Sequence, residues 1–188
     1  MTGKKQSWKD VKKVISKWSD KQLAGLVQDL YNLNPENAAF LNARLLHEFD
    51  PEQILAPYMK RICSAISPSQ PEKQDVRLSE GRKAISEFKK ANGNVKDTLS
   101  LMVYYVQCGN DFTLKFGDID EGFYDSMCSM IEEIKERILK EQDQNLAEEF
   151  LPLLEKEFKR IDGRMGWGYP DEFGACVETL REVFGRGN

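Results

Sequence analysis

The sequence holds a single histidine, His47, and four cysteines, Cys63, Cys108, Cys128 and Cys176, far apart and without a Cys-x-x-Cys pair. A Ser-His-Asp or Cys-His device would have to be built on that one imidazole. No Gly-x-Ser-x-Gly nucleophile turn is present either. The same scarcity argues against a structural zinc site, and no residue pattern points to a cofactor. His47 reads more simply as a polar, half-buried residue near a helix end. The chain also lacks an apolar run of membrane-spanning length. Its start, Met-Thr-Gly-Lys-Lys, has no apolar signal segment. Widely spaced thiols without such a segment fit a reduced, cytoplasmic protein that does not enter a membrane.

What is present is ordinary globular material. The 188 residues are 40% apolar and 31% charged, with ten Phe, six Tyr and three Trp to fill a core. That length suits one domain or two small helical halves. The net charge of −4 is unevenly spread. Residues 1 to 21 carry seven lysines, including Lys4 and Lys5, against two aspartates, while residues 117 to 157 carry thirteen acids against four bases.

Helical periodicity runs through nearly the whole chain. Ser7 with Asp10 and Ser19 with Gln22 have the spacing of capping boxes. Each precedes a stripe at i, i+3, i+4 spacing: Trp8, Val11, Val14, Ile15 and Trp18, then Leu23, Leu26, Val27, Leu30 and Tyr31. Such stripes read as core-facing, Trp8 and Trp18 included. Asn34-Pro35-Glu36 and Asp50-Pro51-Glu52 each supply an N-cap, a first-position proline and a first-turn acid. Pro57 and Pro152 fall inside helical runs and should kink or restart them.

The segment SPSQPEKQDVR (67–77) reads as a loop or linker. It separates an N-terminal helical part (1–66) from a C-terminal one (78–188), expected to pack as one domain. A helix from Asn94 is expected to end at Gly109. The alternation of Phe112, Leu114 and Phe116 marks 110–117 as an extended loop tucking two aromatics inward. Asp118 then caps a long helix striped by Phe123, Met127, Met130, Ile131, Ile134 and Ile138. A further helix near 145–161 and a last one after Pro170 complete an all-α chain of about nine helices. Short loops between them point to an irregular antiparallel bundle or a short α-α superhelix, with no substantial sheet.

Three stretches have chemical interest. Asp118-Ile119-Asp120-Glu121-Gly122 looks acidic enough for calcium, but its glycine is misplaced for an EF-hand loop. Helix-start chemistry explains it better. The loop Gly163 to Asp171 holds three glycines in six residues and presents Arg164, Trp167, Tyr169 and Asp171 just before a helix N-terminus. A small anion or nucleotide is one occupant for it. The alternative is a tight interhelix turn whose Trp167 and Tyr169 pack inward. Lys9, Lys12, Lys13 and Lys17 form a basic strip able to meet nucleic-acid phosphates, though no reader motif accompanies them.

The stretches LAGLVQDLYNLNPENAAFLNAR (Leu23 to Arg44), FTLKFGDIDEGFYDSM (Phe112 to Met127) and GWGYPD (Gly166 to Asp171) together resemble an uncharacterised bacterial family of small all-helical proteins. That resemblance implies a helical fold and supplies no activity or catalytic residue. Helix pairs, uneven charge and the absence of a catalytic constellation point to a non-enzymatic interaction or scaffold module whose partner is another protein. Anion or nucleotide binding at 163–171 and nucleic-acid binding through the N-terminal lysines stand as alternatives.

Overall fold

In the computed structural model, residues 6–185 are described; Lys4 and Lys5 lie outside them. Those residues form nine α-helices and no strand: α1 (Trp8–Ile15), α2 (Asp20–Leu33), α3 (Pro35–Leu45), α4 (Pro51–Ile66), α5 (Leu78–Ala91), α6 (Val95–Phe116), α7 (Glu121–Glu141), α8 (Gln144–Ile161) and α9 (Tyr169–Phe184). None is long and apolar enough to cross a membrane.

Side-chain capping explains most of the helix starts. The Ser7 amide donates to the Asp10 carboxylate at 3.0 Å, and Ser19 and Gln22 reciprocate through 2.9 and 3.4 Å bonds. Asn34, Asp50, Asn94 and Asp120 each accept from an amide in the first turn that follows. Each such bond satisfies a donor that the helix itself cannot.

Helix α6 lies at the centre and packs on α4, α5, α7 and α8, while α9 closes against α7 and α8. Its buried side chains point several ways, among them Leu99, Leu101, Tyr105, Val106 and Phe112. A helix apolar over most of its circumference must be surrounded by others. The core then runs through Ile62 and Ile66 of α4, Phe88 of α5, Met127 and Ile134 of α7, Phe150 of α8 and Phe173 of α9. The stripe from Phe123 to Ile138 is fully buried.

Several expectations from the sequence are corrected here. Residues 110–116 are not extended; they are the last turns of α6. Phe112 and Phe116 sit one turn apart on one face, ring centroids 4.9 Å from each other. Only Phe112 is buried. Gly109 does not stop the helix. It lets α7 approach, since a Cβ there would lie 2.5 Å from the Met127 thioether. The cap of α7 is Asp120, not Asp118, whose carboxylate instead accepts from the Tyr124 hydroxyl. Pro57 and Pro152 are absorbed within continuous helices α4 and α8.

The largest correction concerns the N-terminus. Neither α1 nor α2 contains a buried residue. Trp8 is 68% exposed and Trp18 37%, so neither indole belongs to the core. The α2 stripe is also open: Leu23 and Leu26 are half-covered, while Val27, Leu30 and Tyr31 face solvent. Helix α2 leans on α3, and the Asn37 side chain donates to the Leu30 carbonyl at 2.8 Å. Periodicity gave these helices a sided pattern, but among the described residues their apolar side stays largely uncovered.

Candidate interaction surface

Sixteen large apolar side chains stay exposed among the described residues, and twelve of them lie between Trp8 and Phe49. On α1 they are Trp8, Val11 and Val14, followed by Trp18 in the turn; on α2 they are Val27, Leu30, Tyr31 and Leu33; Phe40 and Leu45 follow on α3. Leu46 and Phe49 complete the set in the turn before α4. At 100° per residue the α1 stripe spans about a third of the circumference. Lys9, Lys12, Lys13 and Lys17 occupy the rest and are all exposed. Lys9, Lys12 and Lys13 form a basic side of α1, with Lys17 in the turn after it and Asp10 tied back into its capping box.

At the end of α3 this surface meets an open depression of about 710 Å³ lined by Arg44, His47, Glu48, Asn92 and Asn94 among others. His47 is not free within it. Its Nε2 pairs with the Asp97 carboxylate in the first turn of α6, and both side chains are largely covered. Arg44 donates to the Lys90 carbonyl, and Asn92 to the Ala43 carbonyl at 3.0 Å. These bonds tie the α3 end to α5, so the one imidazole of the chain serves as a bridge between helices.

The glycine-rich loop does not gather its four candidate residues. Tyr169 is wholly buried at the first position of α9 and its hydroxyl donates to Asn110 Oδ1 at 2.9 Å. Asp171 is exposed in the first turn of α9, and Arg164 reaches back toward the Arg160 carbonyl. Trp167 holds a left-handed backbone at φ 62° and stacks on Tyr124 with centroids 6.4 Å apart, yet its indole remains 58% exposed. Of the two aromatics in this turn, Tyr169 packs inward and Trp167 does not.

Behind the loop lies a polar chain that the sequence did not reveal. Asn110 receives the Tyr169 hydroxyl and passes an amide hydrogen to Glu157 Oε2 at 3.1 Å. Arg160 donates to both Glu157 oxygens at 2.8 Å and also pairs with Asp111. Asn110, Glu157 and Tyr169 are at most 3% exposed. Burial drives the Tyr169 hydroxyl well above its ordinary pKa, so it stays a donor. Arg160, Glu157 and Asp111 also border a depression of about 270 Å³ beside Cys63, Tyr104 and Cys108. Burial likewise raises the Cys108 thiol, which makes it a poor nucleophile.

A groove of about 520 Å³ lies between α5, α6 and α7. Arg82 spans it, donating to the Ser126 hydroxyl and carbonyl at 3.1 and 2.8 Å and to Glu133 at 2.6 Å. Its other charges alternate: Lys89, Arg137 and Lys140 face Glu136 and Glu141. With Arg82 and Glu133 the lining carries four cations against three carboxylates. No three His, Cys, Asp or Glu side chains among the described residues are placed to hold a metal ion. No protein-family model matches this chain, and no curated protein or solved structure matches it either.

Proposed function

We propose that this protein is a non-enzymatic interaction module that docks other protein surface through the outer side of α1, α2 and α3. The observation that carries this reading is the crowding of exposed large apolar side chains into residues 8–49. Summed from their fractional exposures, these side chains leave on the order of 1,000 Å² of surface open across α1, α2, α3 and the turns between them. Surface of that kind stays in water at a cost, and a protein partner removes the cost by covering it. The resemblance to an uncharacterised helical family adds no activity, so the reading rests on this surface.

The double variant Leu30→Glu, Leu33→Glu tests it. Both side chains are exposed, so the fold and melting temperature should stay close to the parent's, as circular dichroism would report. Affinity capture from the native host with the full chain should recover a defined protein in stoichiometric amount, and the variant should lose it. Recovery of the same proteins at the same yield by both chains would overturn the proposal.

A further inference from the structure

We infer that the occupant of this surface is a second copy of the chain, each copy laying its α1 across the α2–α3 face of the other. The inference rests on the interaction-module reading and gives it a specific partner. Two observations carry it, and they are independent of one another.

The first is charge. Around the α1 stripe stand four lysines against Asp10 alone, whereas residues 20–52 carry six carboxylates, among them Asp20, Asp29 and Glu36, against Lys21 and Arg44. All six carboxylates are exposed. The chain therefore carries two open apolar faces rimmed with opposite charge. Like faces repel when α1 meets α1 or α2 meets α2. The favourable pairing is α1 on α2–α3, and two-fold symmetry makes that pairing twice, since what one copy gives it also receives. An anionic lipid surface fits less well. It would attract α1 and repel the acidic rim of the apolar face that continues through α2 and α3.

The second observation is area. A stable interface buries about 800 Å² on each partner. The surface left open by the large apolar side chains of residues 8–49 sums to on the order of 1,000 Å², more than the roughly 500 Å² of apolar area that such an interface holds on each partner. Within a single chain α1 does not cover α2: Trp8, Val11 and Val14 stay exposed, as do Val27 and Leu30. Exchange between copies covers both sets at once. The Ser7 and Ser19 caps hold the two helices as separate units.

Sedimentation velocity and light scattering on the full chain test the inference. The expected result is a reversible dimer at low salt that weakens as salt screens the charged rims. Trp8→Glu with Val11→Glu removes the donated face, and Leu30→Glu with Leu33→Glu removes the receiving face. Each variant alone should dimerise at least about tenfold more weakly than the parent. The decisive measurement is an equimolar mixture of the two. In it one intact α1 meets one intact α2–α3 face, half of the parent's contact, so a mixed dimer should form that is weaker than the parent's and tighter than either variant's own. A mixture that associates no more tightly than either variant alone, while the parent dimerises, would overturn the exchange. A parent that is monomeric throughout would also overturn it, and so would a monomer that floats with phosphatidylserine vesicles. Host protein captured by such a monomeric parent and lost on Leu30→Glu, Leu33→Glu would leave the interaction-module reading standing. No loss would remove both.

Discussion

Replacing Tyr169 by phenylalanine removes one oxygen atom and tests the polar chain under the glycine-rich loop. The ring is wholly buried and touches both Tyr124 and Phe173, with centroids 5.8 Å away in each case. Phenylalanine keeps that packing, so the change isolates the hydroxyl. Its 2.9 Å bond ends on the side-chain oxygen of Asn110, which is itself fully buried. The variant leaves that oxygen in a dry site with no donor. A buried acceptor left unsatisfied costs about 1–3 kcal/mol. For a domain of this size each kcal/mol moves the melting temperature by about 2–4 °C, so a drop of roughly 2–12 °C is expected. Differential scanning calorimetry at neutral pH measures it directly. A double-mutant cycle with Asn110→Ala should show coupling of about 1 kcal/mol or more, because the two groups share a bond. Should Tyr169→Phe melt with the parent, the hydroxyl has no such role and the account of the buried chain fails.

Two further expectations concern the rest of the core. Burial raises Tyr58 to about 12 and lifts Tyr105, Tyr124 and Tyr169, while Cys176 rises to about 12 through burial and the Glu132 carboxylate beside it. Each group is protonated in the fold at a pH where the unfolded chain has lost its proton. Stability is thus fully present below the ordinary values of 9.0 for the thiol and 10.0 for the phenols and is lost as pH climbs toward the folded values. Urea midpoints should hold to about pH 9 and then fall, with phenolate absorbance at 295 nm rising along the unfolding curve; a midpoint that climbs above pH 9 would contradict the sign. Two helical glycines separate propensity from packing. A Cβ at Gly25 meets nothing within 4 Å, so Gly25→Ala should stabilise by about 0.5–1 kcal/mol. At Gly81 it would lie 2.8 Å from Ile66 and 2.9 Å from the Tyr105 ring, so Gly81→Ala should destabilise by about 1–3 kcal/mol. Thermal melts that rank the two variants the other way would refute the packing described for α5.

The helix starts were legible because capping is local. Ser19 and Gln22, or Asn34 and Pro35, need only each other and the next turn, and both are visible in a few consecutive letters. The extent of α6 was not, because its end depends on distant partners. Gly109 resembles a stop until Met127 is seen against it, and the alternation at Phe112 and Phe116 is also a one-turn spacing. Asp118 and Asp120 both suit an N-cap, and Tyr124 decides between them by engaging Asp118. The exposed apolar surface was half legible. The stripes of α1 and α2 show which side is apolar, but sidedness carries no information on whether anything in the same chain will cover it. The polar chain from Tyr169 to Arg160 joins residues 59 and 47 positions apart along the chain, beyond any local pattern.

Helices that bury nothing have a consequence for how the molecule comes apart. Opening α1 and α2 exposes little that was hidden and leaves the packing around α6 untouched. The free energy of that opening is therefore well below that of global unfolding. Amide hydrogens in α1 and α2 should exchange through local fraying, and a protease should cut near Ser16–Ser19 before it reaches α4. Association that covers the two helices would slow both processes together.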